Sequence, residues 1–170
     1  MFRRRSTDRI DAPDILAAME RLVRYQRPEE RSAEVLRNLR SQLPHDVRGY
    51  VVSGDEESGF GFDAQVGYND ALLNLQPANG PWRSPGPRLV PNLVAELFTS
   101  NEPNVRTDLG NLGMREATSA LVVPVVGRFE EYGALILQRH GGPPFGEDDL
   151  KLAARWANVL GETQSLAFEL

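Results

Sequence analysis

The stretch Thr118–His140, TSALVVPVVGRFEEYGALILQRH, constrains the fold more than any other part of the chain. It reads as two strands around a polar turn, and both strands are almost wholly apolar, with Pro124 in the first. A strand with one face in water alternates apolar and polar residues; a strand that is apolar throughout must be covered on both faces. The hairpin therefore belongs to a sheet packed on both sides, and the rest of the chain has to supply the cover. With 170 residues, 41% of them hydrophobic, there is enough chain for one domain that buries about two-thirds of its unfolded surface.

Helical cover is legible on either side of the strands. Asp11 can cap a first helix with Pro13 in its opening turn, and Ile15, Leu16, Met19, Leu22 and Val23 recur at helical spacing. Pro28 restarts a second helix, with Glu29 and Glu30 favoured at its N-terminus by the helix dipole. Its apolar stripe is Val35, Leu36, Leu39 and Leu43, and Pro44 ends it. Residues 48–53 then read as a strand, with a turn over Gly54–Gly59 and a second strand around Phe60 and Phe62. A short helix is expected over 69–75, a long loop over Pro77–Arg88 around Trp82, a helix over Leu89–Phe98 and an extended piece over Asn104–Thr107. After Pro143, Pro144 and Gly146 a long helix runs from about Glu147 to the end, with Glu147, Asp148 and Asp149 in its first turn. Residues 1–10 are expected to be a flexible tail and 11–170 a single domain.

The last helix carries two apolar seams. Leu150, Ala153, Ala157, Leu160 and Ala167 form one; Leu152, Trp156, Val159, Leu166 and Leu170 form the other. One seam covers the sheet, so the second predicts a partner, and the expectation is a homodimer through the terminal helices. The expected interface is Leu16, Met19 and Val23 of the first helix with Ala153, Ala157 and Leu160 of the last, because small side chains let helix backbones approach.

Composition excludes several chemistries. The chain has no cysteine, so a disulfide framework, a thiolate metal site and a cysteine nucleophile are ruled out. Eighteen of the 19 basic residues are arginine, and Lys151, the one lysine, has no glycine-rich phosphate loop before it. The formal net charge is −5, and Arg21, Arg24, Arg27, Arg31, Arg37 and Arg40 are interleaved with Glu20, Glu29, Glu30 and Glu34. That is the pattern of a solvated helix surface rather than a nucleic-acid footprint. No apolar run approaches the roughly 20 residues of a membrane helix, and the start lacks an apolar leader segment, so a cytoplasmic protein with neither membrane nor nucleic-acid partner is expected.

The segments after Glu96 resemble a GAF domain, the small-molecule-sensing relative of the PAS fold. LFTSNEPNVRTDL, with Glu102, Pro103 and Asp108, is similar to that family's helix, turn and short strand; the hairpin with Pro124 and Gly133, and the closing FGEDDLKLAARWANVLGETQSLAFEL with Phe145 and Asp149, are similar to its later elements. The likeness covers the last 75 residues or so well and the first 95 by element order. It implies an α+β fold: a central antiparallel sheet with N- and C-terminal helices on one face and a pocket-covering segment on the other. It also implies a non-catalytic sensory or interaction module in signal transduction. Gly141, Gly142, Pro143 and Pro144 replace the asparagine-lysine half of the family's cyclic-nucleotide signature, and the missing cysteine removes thioether attachment of a bilin.

No catalytic constellation is visible and no cofactor is expected. Residues that would line a pocket in such a fold are Tyr50, Phe62, Trp82, Arg83, Arg88, Arg106, Asp108 and Met114, where Tyr50, Phe62 and Met114 serve equally well as core and Trp82 as its cover. His45 and His140 stand in a turn and at a strand end, without metal-ligand spacing, and read as exposed; a haem sensor built on one of them is the alternative, as is a ligand-free scaffold. Asp55, Glu56 and Glu57 lie in a solvated hairpin tip without calcium-loop spacing.

Overall fold

A computed structural model of the chain describes residues 12–55, 57, 59–74, 77, 86–90, 116–128 and 131–169. Helix α1 spans Ala12–Val23 and α2 spans Pro28–Gln42; strands β1 (Val47–Asp55) and β2 (Gly59–Val66) form a hairpin, followed by a short 3-10 helix at Asp70–Asn74. Strand β3 is Arg88–Val90, β4 is Ser119–Val126, β5 is Glu131–Arg139, and helix α3 is Glu147–Glu169. The five strands form one antiparallel sheet in the order β2-β1-β5-β4-β3. This is the expected α+β architecture. One expectation is corrected: Leu89 and Val90, assigned to the start of a helix over Leu89–Phe98, are extended and belong with Arg88 to β3. Val90 precedes Pro91, whose ring disfavours helical backbone at the residue before it. The expected tail and the extended piece at Asn104–Thr107 lie outside the described residues.

The two-sided hairpin is explained by two separate cores. Side chains alternate along each strand, so Val47, Val51, Leu121, Val123, Val125, Leu135 and Leu137 face one way and join the helices. Tyr50, Val52, Ala120, Val122, Ala134 and Ile136 face the other way and form a second buried cluster with Phe62, Leu72 and Val90. On the helix face α3 lies along β4, α2 covers β2 and β1, and α1 packs on α3 and α2 rather than on the strands.

The described residues of both α3 seams, up to Leu160, are buried within the single chain, which corrects the expected interface at Ala153, Ala157 and Leu160. Ala153, Ala157 and Leu160 are 0%, 1% and 0% exposed, and Leu152, Trp156 and Val159 are buried as well. Trp156 Nε1 donates to Gln42 Oε1 on α2 at 3.2 Å, so the tryptophan seam faces the other helices. The small-residue seam faces the sheet. Gly161, one turn beyond Ala157, lies so close to the end of β4 that a Cβ there would overlap the Val126 carbonyl oxygen. Arg128 N donates to Ser165 Oγ at 2.9 Å and pins the hairpin turn to the same helix. The second cover that the sequence attributed to another copy is α1 and α2; of the first-helix residues, Leu16 and Val23 remain exposed and Met19 is half-buried.

Two polar clusters tie the layers together. Arg31, grouped by its sequence context with solvated arginines, is 4% exposed. Its Nε donates to Gln164 Oε1 at 2.6 Å and its Nη1 to the Tyr25 carbonyl, while Gln164 Nε2 donates to the Pro28 carbonyl at 3.1 Å. These bonds fix the α1–α2 turn to α3. The second cluster depends on a β-bulge: Val51 pairs with Ala64 and Val52 with Phe62, which leaves Asp63 as the extra residue. Asp63 Oδ2 accepts from Ser32 Oγ on α2 at 3.0 Å and from Tyr132 Oη on β5 at 2.8 Å. Burial pushes the Asp63 carboxyl up from its ordinary value, against the lowering effect of those bonds.

Two measurements check this packing. Gly161→Ala adds helix propensity of about 1 kcal/mol in isolation, yet here it is expected to destabilise by about 1–3 kcal/mol through overpacking against Val126; a denaturation midpoint at or above wild type would remove the close approach. Asp63 has a raised folded-state pKa, so the unfolded chain loses that proton first, and its contribution to stability, full below the ordinary aspartate range, is lost as pH rises through the raised value. The stability of Asp63→Asn relative to wild type should therefore improve as pH rises across that window in denaturant titrations. A difference independent of pH would show that the carboxyl is not perturbed.

Candidate functional site on the second face of the sheet

Strand register arranges the second face in rows. Arg48, Gln138, Ala120 and Val90 stand opposite one another across β1, β5, β4 and β3; the next row is Tyr50, Ile136, Val122 and Arg88, and the third is Val52, Ala134 and Pro124, with Phe62 beside Val52. Alanines at 120 and 134 keep the floor low beside the bulkier Ile136 and Val122. Tyr50 is fully buried, with its ring edge-on to Phe62 at 5.5 Å between centroids and tilted to Tyr68 at 6.2 Å. Burial pushes the Tyr50 hydroxyl well above its ordinary pKa, so it stays a neutral phenol. One end of the floor is therefore apolar and aromatic.

The other end is polar and closely bonded. Gln138 is fully buried, and its Oε1 accepts from Tyr68 Oη at 2.7 Å; the same Oη lies 2.7 Å from His140 Nε2. Gln138 Nε2 has no hydrogen-bond partner among the described residues. Arg48 is clamped by Asp46, with Nε to Oδ1 at 3.2 Å and Nη2 to Oδ2 at 2.8 Å, and its guanidinium stands 5.5 Å from the centroid of the Tyr68 ring. That pairing lowers the Asp46 pKa and raises that of Arg48. Gln65 fixes the chain that carries Tyr68, accepting from Tyr68 N at 2.9 Å and donating to Asp70 Oδ1 at 2.8 Å. Leu72, in the 3-10 helix, is fully buried in the same cluster and closes this end of the face.

Of the residues expected to line a pocket, the fold brings Tyr50 and Phe62 into direct contact and sets Arg88 half-buried at the far edge, on the same side of its strand as Val90. Trp82, Arg83, Arg106, Asp108 and Met114 lie outside the described residues. Sequence reasoning missed Arg48, Tyr68 and Gln138. A signal existed for the last: in ALILQRH, Gln138 takes the parity of Ala134 and Ile136, so a polar residue stands in a buried register. His140, read as exposed, is half-buried against Tyr68, whereas His45 is exposed, in a left-handed conformation with φ 69°.

A different groove, of about 420 Å³, opens at the N-terminus of α3 between Pro44, His45 and the acidic residues Glu147, Asp148 and Asp149. Its buried cation, Arg139, is engaged there: Nη1 donates to the Pro143 carbonyl at 3.0 Å and the guanidinium stacks 4.3 Å from the Phe145 ring centroid. Among the described residues no three histidine, aspartate or glutamate side chains cluster as metal ligands would, and no helix is long and apolar enough to cross a membrane.

No family model matches the sequence, and no curated protein matches it. Solved structures do. The GAF domain of a phosphoenolpyruvate-protein phosphotransferase from Coxiella burnetii superposes with a TM-score of 0.65 at 17% identity, over 94% of this chain and 97% of that one. The phycoerythrobilin-bound GAF domain of a cyanobacterial phytochrome gives a TM-score of 0.66 at 14% identity, over 95% and 97% of the two chains. The GAF domain of the cyanobacteriochrome TePixJ gives 0.61 at 16% identity, over 88% and 96%. With the sheet order, the helix layer and the covered second face already established, these likenesses identify the fold: the chain is folded as a GAF domain.

Proposed function

We propose that the chain is a sensory input module of signal transduction that holds a small molecule, without covalent attachment, over the second face of its sheet. The observation that carries this reading is the composition of that face: an aromatic and aliphatic floor lowered by Ala120 and Ala134, ending in a buried amide whose Nε2 finds no partner among the described residues. Apolar floors with a few convergent polar groups are what small-molecule sites are made of. The GAF domains it resembles include one bound to phycoerythrobilin and one from a phosphotransferase. With no cysteine, thioether attachment is excluded, so the ligand is held by Tyr50, Phe62, Arg88 and Gln138, joined by Trp82, Arg83, Arg106, Asp108 and Met114 of the intervening segment.

Binding rather than catalysis is the role this site favours. The phenols at its centre are held neutral by burial, and its one histidine meets a tyrosine rather than a nucleophile. The same contact disfavours the haem alternative at His140, because the Nε2 atom an iron would take is the one facing Tyr68. Self-association, if the module dimerises, uses the outer face of α1, where Leu16 is 63% and Val23 39% exposed seven residues apart, and the signal passes from there to a partner protein or domain.

The test is a thermal-shift panel of nucleosides, nucleotides, free amino acids, biliverdin and haem. A compound at 100 times its dissociation constant adds about 2.7 kcal/mol, which for a chain of this size is about 5–10 °C in Tm. Ala120→Leu, which fills the floor, is expected to abolish the shift while the unliganded protein still melts cooperatively. No shift with any compound would favour a ligand-free scaffold, and a Soret band lost on replacing His140 would favour haem.

A further inference from the structure

The polar corner of the second face has fewer hydrogens than contacts. Tyr68 Oη lies 2.7 Å from both Gln138 Oε1 and His140 Nε2, and a neutral phenol has one hydrogen, so it donates to one and accepts from the other. Burial keeps that phenol protonated by pushing its pKa far above the ordinary tyrosine value. With Gln138 Oε1 towards Tyr68, the phenol donates to the amide and must accept from a hydrogen on His140 Nε2. The amide N–H2 is then left for whatever covers the second face. Turning the Gln138 amide over reverses the chain: Gln138 Nε2 donates to Tyr68, Tyr68 donates to a bare His140 Nε2, and the imidazole hydrogen sits on Nδ1. Both arrangements use the same atomic positions, with oxygen and nitrogen exchanged at the amide.

We infer that Gln138, Tyr68 and His140 form a hydrogen-bond relay in which the group facing the buried Gln138 amide sets the tautomer of His140, at the half-exposed end of β5. The inference rests on the binding reading above only for the identity of that group. A ligand oxygen that accepts from Gln138 Nε2 holds the first arrangement, and a ligand N–H that donates to the amide oxygen imposes the second. A buried binding difference thus becomes a choice of which imidazole nitrogen offers a hydrogen and which offers a lone pair.

The surroundings keep the ring in the state where tautomer matters. The groups around it are Arg48 at the start of β1, Asp46 just before it, Glu116 ahead of β4 and Tyr68 after β2; burial first and Arg48 second hold the imidazole below its ordinary value, while Asp46 and Glu116 oppose them. At slightly alkaline pH His140 is therefore neutral, and its single ring hydrogen is the variable. Gln65 Oε1 accepts from the Tyr68 backbone N–H and fixes the segment that carries the phenol, while the ring itself is packed between Tyr50, His140 and the Arg48 guanidinium.

Nitrogen-15 NMR of histidine-labelled full-length protein at pH 7.5 reads the tautomer directly, with His45→Gln assigning the second ring. The expected result is predominantly Nε2–H in wild type, changing to predominantly Nδ1–H in Gln138→Met, where the phenol has only the imidazole to donate to. In a Tyr68→Phe background, Gln138→Met is expected to change nothing. A wild-type ring carrying its hydrogen on Nδ1 would overturn the direction of the relay even if the variant does not fold. An unmoved tautomer in Gln138→Met, or an equal change with and without the Tyr68 hydroxyl, would overturn the relay itself. No ligand is needed: an unresponsive thermal-shift panel removes the binding proposal alone, and an unmoved tautomer removes the relay alone.

Discussion

Burial of β5 on both faces is the constraint from which the rest of the structure follows. The strand pairs with β1 on one side and β4 on the other, and residues 133–139 are all buried. A strand in that position needs two covers of different origin, because a helix layer can sit on only one face of a sheet. The terminal helices take the face of Leu135 and Leu137; among the described residues, Tyr68 and Leu72 after β2 pack on the face of Ala134 and Ile136. Structure and site are thus divided along one strand by the alternation of its side chains. Gly133, at its start, has Val52 so close that a side chain there would overlap its carbonyl oxygen, which keeps the central strands in tight register.

The helix layer illustrates how residue size chooses which face of a helix meets a sheet. Ala153, Ala157 and Gly161 form a line of minimal side chains on α3, and at Gly161 the backbone of the helix meets the backbone of β4. A glycine inside a helix is costly on propensity alone. Here the cost is offset by an approach that no larger residue permits, and the bulky edge with Trp156 is left to fill the wider space towards α2.

Much of the fold is legible in the sequence because period and punctuation are local. The hairpin, the β1–β2 pair, the 3-10 turn and the three helices follow from alternation, helical spacing and the positions of Pro28, Pro44 and Pro143. What failed was inference from a side chain's type to its surroundings. Arg31 sits among glutamates in the sequence and is buried by a glutamine 133 positions away; the second seam of α3 looked unpartnered because α1 and α2 are distant in the chain but adjacent in space. The Leu89–Val90 segment was misread because its apolar content outweighed the proline that follows. Of the site, the aromatic floor was legible through Tyr50 and Phe62 and Gln138 had a signal in its strand parity that went unread, while Tyr68 had none, since its bond to Gln138 exists only once the fold brings the two within 2.7 Å.

The bulge at Asp63 has a consequence for association. Strand β2 is an edge of the sheet, and an edge with a regular row of unpaired N–H and C=O groups is a template for a strand of another molecule. The extra residue kinks and twists the strand, and the bonds from Ser32 and Tyr132 hold the kink in place. At the other edge of the described sheet stands β3, Arg88–Val90. The β2 border of the described sheet therefore offers no long, flat zipper, and growth of the sheet by strand addition is discouraged there.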